Sequence, residues 1–529
     1  MTEPAGARRA GVLVPLFAVP SSIGWGIGEI GDIPALTSWL AKAGQRVLQF
    51  LPLNEMAPGQ HSPYSAISAM AIDPIFISVA TVPDFLTAGG IASLSGDDRH
   101  MLAHVRNSPR IEYAKVRALK QRALEAAFSR FLEAEWSRDT ARASRLKAFI
   151  AQQAWWLDAY VLFRAIHSTE KERPWTEWPT ALRRREPRVL TRIRRDLSKD
   201  LLFQAYLQWV AYTQWTRVRG QTHGVKIFGD LPFMVDGDSA DVWARQDQFR
   251  LDVSIGVPPD AFSATGQDWG MPLSRWDVMA ADGFRWLRER AKRNADLYDG
   301  FRVDHLVGFY RTYGRPINGG PPFFVPATEV DQTALGEAVL RVLRGAGAKI
   351  IAEDLGDVPD FVRESLTRLG VPGFRVFCWE RLWHVEDGPF RDPIDYPRLS
   401  VATSGTHDIE PMLVWWEHAP ESERKLVDAI PTVQRVTRGI GVLGAGPAPV
   451  RDALLETLFA SGSDLVILPI QDVFGWSDRI NTPATVGESN WSFRLPWPSD
   501  RLDEVAEARE RQSRLRAWAE EYHRVETGG

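Results

Sequence analysis

Two charged residues stand two positions apart in the segment DGFRVDH at 299–305. Side chains of a strand alternate between its two faces, so Arg302 and Asp304 are expected on one face and His305 on the other. An arginine beside an aspartate keeps that carboxylate ionised through opposite charge and hydrogen bonding. The pattern therefore suits a carboxylate nucleophile, and it also suits a structural ion pair.

Acidic residues end several of the apolar runs in the sequence. Asp304 follows FRV, Glu353 follows IIA and Asp408 ends SGTHD, while Asp230 ends IFGD. Side chains at the carboxyl ends of barrel strands converge on one pocket, so these acids are expected to lie together. Several carboxylates without an evident nucleophilic serine or cysteine are typical of glycosyl transfer or glycoside hydrolysis.

That chemistry requires one ionised and one protonated carboxyl group, whose environments must separate their pKa values. Arg302 would keep Asp304 ionised. Glu353 follows the apolar run 350–352 and has no cation nearby in the sequence, which favours a raised pKa. Strand alternation sends Glu353 and Asp354 to opposite faces, and the sequence leaves open which of the two faces inward.

Other catalytic classes have little support. No G-x-S-x-G nucleophile motif is present, and the ten histidines show no H-E-x-x-H spacing, so neither a serine triad nor a catalytic metal is expected. The segment GIGEIG at 26–31 satisfies a dinucleotide fingerprint literally, but it does not directly follow a strand. We therefore expect no metal and no cofactor.

Elements that would position these acids recur along the chain. Eight runs that are apolar on both faces, with helical spacing between several of them, predict a (β/α)8 TIM barrel of the α/β class. The predicted strands are 12–17, 47–53, 225–233, 301–305, 349–355, 374–379, 400–408 and 464–472. Helices are predicted within 31–44, 283–298, 335–347 and 361–370.

The intervals between these strands suggest the following organisation. Barrel strands 1 and 2 fall within 11–84, and a mostly helical insertion occupies 85–222. Strands 3 to 8 fall within 223–500, together with a Gly-, Pro- and Trp-rich loop at 254–277 that is expected to be functional. Residues 501–529 read as a charged helical tail.

Composition excludes several classes of protein. The 529 residues carry a formal net charge of −4, and the Arg-rich segment 182–195 reads as a solvated helix face, so no nucleic-acid partner is expected. No apolar run approaches a membrane helix, and Pro15 interrupts the one segment that imitates a signal peptide. One cysteine, Cys378, excludes an internal disulfide, and we expect a cytoplasmic protein. Tryptophan is abundant at 21 residues, and flat indole faces are suited to stacking on sugar rings.

The ordered segments FRVDH, IAEDLG and GTHD resemble the three acidic blocks of the α-amylase clan of retaining glycosidases. Their surroundings are similar to the 4-α-glucanotransferase family, also called amylomaltase or disproportionating enzyme, in order from about residue 11 to 498. The further segments that carry this resemblance are 61–78, 227–244, 256–273 and 479–494. The resemblance implies one barrel with inserted, mostly helical subdomains and no C-terminal β-domain.

The resemblance also implies roles for individual residues. Asp304 would be the nucleophile, Glu353 the acid/base and Asp408 a third carboxylate that orients the donor sugar, while Arg302 would hold Asp304 ionised. Tyr64 would stack on the donor ring. The other implied sugar-binding residues are Asp230, Gln267, Trp269, His305, His407 and Asn481.

The implied activity is transfer of α-1,4-glucan segments between malto-oligosaccharides by a retaining double displacement. An α-1,4-glucan hydrolase with the same residues and a non-catalytic glucan-binding protein stay open as alternatives, and the oligomeric state is not implied. The chain departs from the family pattern at Met271-Pro272, at Ser274 and in FRVFCWERLW at 374–383. Acceptor preference, including any acceptor role of Trp379 or Glu380, therefore does not follow from the resemblance.

Overall fold

Twelve β-strands form two separate sheets in the computed structural model, which describes residues 8–259, 265–483, 485, 487 and 489–525. The strands are β1 (Arg9–Leu13), β2 (Val47–Gln49), β3 (Lys226–Leu231), β4 (Phe249–Val257), β5 (Gln267–Ser274), β6 (Gly300–Val303), β7 (Thr312–Pro316), β8 (Phe323–Val325), β9 (Lys349–Ala352), β10 (Gly373–Val376), β11 (Ser400–Thr403) and β12 (Leu465–Pro469). Eight of them close into a parallel barrel in the order β1-β12-β11-β10-β9-β6-β3-β2. The predicted (β/α)8 TIM barrel is confirmed.

Each of the eight predicted barrel strands is found, but most are shorter than expected. The run predicted at 47–53 forms a strand only over Val47–Gln49, and the first strand ends at Leu13, before Pro15. Residues 50–53 are nevertheless buried, because the loop at the carboxyl end of β2 packs over the barrel. The apolar runs in the sequence are therefore longer than the strands, because buried loop residues are apolar as well.

Helices surround the barrel and fill the interval between β2 and β3. The helices before β3 are α1 (Ile33–Lys42), α2 (Pro83–Thr87), α3 (Gly96–Asn107), α4 (Tyr113–Ala134), α5 (Ala141–Thr169), α6 (Thr180–Arg183), α7 (Pro187–Asp196) and α8 (Ser198–Arg219). Those after β3 are α9 (Ala240–Ala244), α10 (Trp276–Ala281), α11 (Arg285–Leu297), α12 (Val307–Tyr310), α13 (Glu329–Arg344), α14 (Asp360–Leu369), α15 (Met412–His418), α16 (Glu421–Asp428), α17 (Pro431–Val436), α18 (Pro447–Phe459), α19 (Ile470–Phe474) and α20 (Ala506–Glu521). None of the helices formed by the described residues carries an apolar stretch long enough to cross a bilayer.

The segment 254–277 differs from the expected loop. Its described part forms most of an antiparallel pair, β4 with β5, in a four-stranded sheet of order β5-β4-β7-β8, and residues 260–264 lie outside the described residues. A Cβ on Gly256 would overlap the carbonyl oxygen of Gln267, so glycine is required where the two strands approach closely. Pro272 is tolerated because β5 is an edge strand of this sheet.

Strand register sets the positions of the central charged residues. Asp230 on β3 pairs laterally with Arg302 on β6, and Val303 on β6 pairs with Ala352 on β9. The next residues along β6 and β9 are Asp304 and Glu353, so these two acids emerge side by side at the carboxyl edge of the barrel. The parallel register therefore brings together residues that are far apart in the sequence.

A glycine next to Asp230 offers a test of this packing. A Cβ at Gly229 would overlap ring atoms of the buried Tyr298, so Gly229→Ala is expected to lower the free energy of unfolding by about 1–3 kcal/mol through overpacking. The midpoint of urea unfolding measures the loss. Gly96→Ala is the matched control, because a Cβ at Gly96 meets nothing within 4 Å. Equal midpoints for the two variants would contradict the packing described here.

Candidate active site

A cavity of about 320 Å³ opens at the carboxyl ends of the barrel strands. Nine of the eleven site residues expected from the sequence line it: Tyr64, Gln267, Trp269, Asp304, His305, Glu353, His407, Asp408 and Asn481. The other two, Arg302 and Asp230, are buried and contact Tyr64 and the acids of the cavity. The structure thus brings all eleven residues into one connected group.

Arg302 is the charged centre of this group. Its Nη1 lies 2.5 Å from Asp230 Oδ2, and its Nη2 lies 2.9 Å from Asp304 Oδ1 and 3.1 Å from Glu353 Oε2. The expected pairing of Arg302 with Asp304 is present. Glu353 has no cation near it in the sequence, but Arg302 reaches it from the neighbouring strand β6.

The shared guanidinium limits the separation of the two acids. Because one nitrogen lies 2.9 Å from an oxygen of Asp304 and 3.1 Å from an oxygen of Glu353, those oxygens lie no more than about 6 Å apart. Carboxyl groups of retaining glycosidases are about 5–5.5 Å apart, whereas inverting enzymes require about 6.5–9.5 Å to admit a water molecule. The geometry therefore favours the retaining arrangement.

Glu353 faces the cavity, and Asp354 faces away from it. The backbone N–H of His305 donates to Glu353 Oε2 at 2.6 Å, while Asp354 is buried and accepts from the backbone N–H of Phe374. Burial raises the pKa of Glu353 to about 8, against the opposing charge of Arg302 and with a further contribution from the Asp304 carboxylate. Glu353 is therefore protonated at neutral pH and can donate a proton.

Asp408 has the opposite electrostatic setting. Its Oδ1 accepts a hydrogen bond from Asn481 Nδ2 at 2.6 Å, and its Oδ2 lies 3.2 Å from His407 Nε2. Partial burial alone would raise its pKa, but the His407 ring and the hydrogen bonds from His407 and Asn481 lower the pKa of Asp408 to about 2. Asp408 is therefore a fixed negative charge at the cavity wall.

Aromatic rings form the wall beside Asp408. The Tyr64 ring stacks on the His407 ring, with centroids 5.3 Å apart and an angle of 12°, and both contact Trp491. The Tyr64 hydroxyl donates to Asp230 Oδ2 at 2.7 Å. His407 covers one face of Tyr64, so a sugar could meet only the opposite face or the ring edge.

The second sheet supplies the facing wall through β5. Trp269 packs edge to face against His305, with ring centroids 4.8 Å apart, and its indole N–H donates to Gln267 Oε1. His305 lines the cavity although strand alternation predicts the other face, because β6 ends at Val303 and His305 has a φ of 42°. Burial lowers the pKa of His305 to about 4, so the ring is neutral at pH 7.

Some residues of the site were not singled out from the sequence. Arg479 donates through Nη2 to the backbone carbonyl of Asp408 and through Nε to that of Asn481, which links the two segments that hold the third carboxylate. Trp491 lines the cavity as well. Both stand in the segment 479–494 that carried part of the resemblance, and that resemblance is the signal in the sequence that points to them. Among the described residues, no group of three His, Cys, Asp or Glu side chains is arranged to hold a metal ion.

Comparison with known proteins is consistent with this geometry. Residues 14–500 match a family described as 4-alpha-glucanotransferase. The 4-alpha-glucanotransferase of Chlamydia pneumoniae is 32% identical over 506 residues, which cover 94% of this chain and 92% of that protein. The 4-alpha-glucanotransferase of Thermus thermophilus is 32% identical over 528 residues, which cover 95% and 99% of the two chains.

Solved structures agree in fold. The amylomaltase of Streptococcus agalactiae, solved in complex with acarbose, superposes with a TM-score of 0.81 at 27% identity, covering 98% of this chain and 100% of that one. The amylomaltase of Corynebacterium glutamicum, at 22% identity, gives a TM-score of 0.80 over 96% of this chain and 75% of that one. With a family match over nearly its whole length and relatives of this similarity, the chain belongs to the 4-alpha-glucanotransferase family.

Proposed function

We propose that this enzyme transfers segments of α-1,4-glucans between malto-oligosaccharides by a double displacement in which Asp304 is the nucleophile and Glu353 the acid/base. The assignment rests on one observation: Asp304 and Glu353 both contact the same nitrogen of Arg302. Their contacting oxygens therefore lie no more than about 6 Å apart, which fits a retaining mechanism. A raised pKa at Glu353 supplies the proton donor that the first step needs.

In the first step, a carboxylate oxygen of Asp304 bonds to the anomeric carbon of the donor, and the bond from that carbon to the glycosidic oxygen breaks. Glu353 gives its proton to the departing oxygen, which leaves a glycosyl ester on Asp304 and a carboxylate on Glu353. In the second step, Glu353 takes the proton from an acceptor 4-hydroxyl, whose oxygen attacks the anomeric carbon and releases Asp304. Two inversions retain the α configuration.

The remaining residues bind the donor in this proposal. Asp408, held by His407 and Asn481, accepts hydrogen bonds from hydroxyls of the sugar whose bond is cleaved. Tyr64 contacts that sugar with its open face or edge, and Gln267, Trp269 and His305 contact it from the β5 side. Asp230 and Arg302 are buried next to the cavity, and they fix the positions of Tyr64 and the two catalytic acids.

Transfer rather than hydrolysis requires the covalent intermediate to react with a sugar in preference to water. Trp269 and Met271 of β5 line the same cavity as Asp304, and binding of an acceptor there would displace water. A hydrolase would use the same acids and differ only in its acceptor. We further propose a cytoplasmic location, which the single cysteine Cys378 favours.

Incubation of the purified enzyme with maltotriose alone tests the proposal. Glucose and oligosaccharides longer than maltotriose should appear while the concentration of reducing ends stays constant, because transfer conserves the number of glycosidic bonds. Reducing ends that rise with turnover, without longer products, would identify a hydrolase instead. Unchanged maltotriose would contradict the proposed donor.

The pH profile tests the role of Glu353. Because its pKa is raised to about 8, the protonated form persists through neutral pH and is lost above pH 8. The value of kcat/KM for maltotriose is therefore expected to fall about tenfold per pH unit at high pH. Asp408, with a pKa of about 2, stays ionised near neutral pH, so it should not change kcat/KM with pH in that range.

Initial rates between roughly pH 6 and 10 measure this alkaline limb, which reports the free enzyme. The control is enzyme held at the highest pH and assayed after return to pH 7, where full activity excludes denaturation. A profile that stays flat up to about two units above the pKa of Glu353 would contradict its role as proton donor.

A further inference from the structure

A second and larger cavity, of about 800 Å³, opens beside Glu353, at the carboxyl ends of the neighbouring barrel strands β9 and β10. Glu353 lines the active site, and the next residues, Asp354 and Leu355, line this second cavity. Its other walls come from the carboxyl end of β10 and the segment that follows β10: Phe374, Arg375, Val376, Cys378, Trp379, Glu380, Arg381, Trp383, Arg391 and Pro397. Consecutive residues of the chain therefore line the two cavities, and Glu353 is the active-site residue next to the second one.

Exposed tryptophan distinguishes this cavity from the rest of the surface. All 21 tryptophans fall within the described residues, and only Trp379 and Trp383 are exposed, at 36% and 75%. Both line the second cavity. Indole rings are normally buried for their large apolar area, so an indole this exposed suggests a contact surface for another molecule.

Trp383 is held in place by a stack of planar groups that begins in the core. Phe377, which is buried, stacks on Phe390 with ring centroids 5.9 Å apart and an angle of 9°. The Arg381 guanidinium lies between Phe390 and Trp383, 4.7 Å and 4.6 Å from the two ring centroids. Glu423 approaches Arg381 at 3.4 Å. The exposed indole is therefore a rigid platform rather than a loose surface side chain.

Polar groups around the platform have unused hydrogen-bonding capacity. Glu380 lies 3.6 Å from Arg391 and 3.9 Å from Arg375, distances too long for direct hydrogen bonds. Sugar hydroxyls both donate and accept, so they can bridge such a carboxylate and guanidinium pair. A glucose unit has apolar C–H groups on its ring face and hydroxyls around its edge. A flat indole ring beside polar groups in one cavity can therefore contact both parts of the sugar.

We propose that this cavity binds the reducing-side part of a long acceptor glucan, with Trp383 as the platform on which a distant glucose ring stacks. The inference rests on the proposed function, since Glu353 acts on the acceptor hydroxyl and the acceptor chain must therefore extend from its side of the active site. A glucose acceptor ends at the reacting sugar and cannot reach the platform. Trp383 then sets the preference for long acceptors over short ones.

The test uses a donor that leaves the second cavity empty and cannot itself accept. An α-maltotriosyl fluoride blocked at its non-reducing 4-hydroxyl has fluoride as its leaving group, so every coupled product reports the added acceptor. Initial rates of coupling give kcat/KM for maltotetraose and for glucose as acceptors. The ratio of the two values isolates the contribution of the distant sugar units.

Trp383→Ala is expected to lower this ratio about tenfold, which corresponds to the loss of one stacking contact. Trp383→Phe keeps a flat ring and should restore most of the ratio. The matched control is Ile440→Ala, which removes another exposed apolar side chain, 87% exposed, outside the cavity. That control should leave the ratio unchanged.

Two other outcomes are distinguishable. Wild-type enzyme that couples normally, with a Trp383→Ala ratio equal to that of the wild type, would overturn the acceptor platform and leave the proposed function intact. Wild-type enzyme that forms no coupled product with either acceptor would overturn the proposed function and the platform with it.

Discussion

Replacing Asp304 by asparagine is expected to lower the rate of maltotriose disproportionation by on the order of 10⁴-fold. The amide is nearly the same size as the carboxylate and can still accept a hydrogen bond from Arg302, so the cavity should be preserved. It cannot supply the negative oxygen that bonds to the anomeric carbon. The initial rate of glucose release from maltotriose measures the loss.

The matched control is Asp357→Asn, which makes the same chemical change at a side chain that is 78% exposed and lies 3.5 Å from Arg311. This variant should retain wild-type rates. Unfolding midpoints should agree among the wild type and both variants, which would exclude a folding defect. A rate for Asp304→Asn within about tenfold of the wild type would assign the nucleophile to another residue.

Glu353→Gln is expected to separate the two chemical steps. With maltotriose as donor, the variant lacks the proton for the departing oxygen, and the rate should fall by about 10²–10⁴-fold. With an α-maltosyl fluoride, fluoride departs without protonation, so the first step should proceed. The second step has no base, and the glycosyl ester on Asp304 should accumulate to a level that intact-protein mass spectrometry detects as one added maltosyl group.

The double variant Asp304→Asn/Glu353→Gln is the control, and it should show no added mass. Peptide mapping should place the maltosyl group of the single variant on the peptide that contains Asp304. An adduct on any other acid, or rapid turnover of the fluoride without an adduct, would contradict the assigned roles. Exogenous azide, a small nucleophile that needs no base, should release the accumulated ester.

Much of the barrel could be predicted from the sequence, because strands covered by helices on both faces are apolar runs that stand out locally. The same signal misplaced strand ends, since the loop after β2 is buried as deeply as the strand. The pair β4 and β5 was missed for a different reason. Its glycines and Pro272 are typical of a loop. In the structure, the close approach of β4 and β5 requires glycine at position 256, and the edge position of β5 tolerates Pro272.

The candidate site was predictable where the residues belong to one short segment. Arg302 and Asp304 are two positions apart, and strand alternation alone places them together. Arg302 contacts Glu353, and Tyr64 contacts Asp230. Each of these contacts joins residues that are distant in the chain, so both depend on the register of the barrel strands. His305 departs from alternation because the strand has already ended, which a residue pattern does not reveal.

Arg302 has a consequence for the timing of proton transfer in the proposed mechanism. In the resting enzyme the ionised Asp304 disfavours charge on Glu353, while Arg302 divides its field among three carboxyl groups. Once Asp304 becomes a neutral ester, that repulsion disappears and the guanidinium acts more strongly on Glu353. The proton affinity of Glu353 should therefore fall within the catalytic cycle. The group gives up its proton as the ester forms, and it then stays ionised and ready to receive a proton from the acceptor. Formation of the ester on Asp304 thus prepares Glu353 to act as the base of the second step.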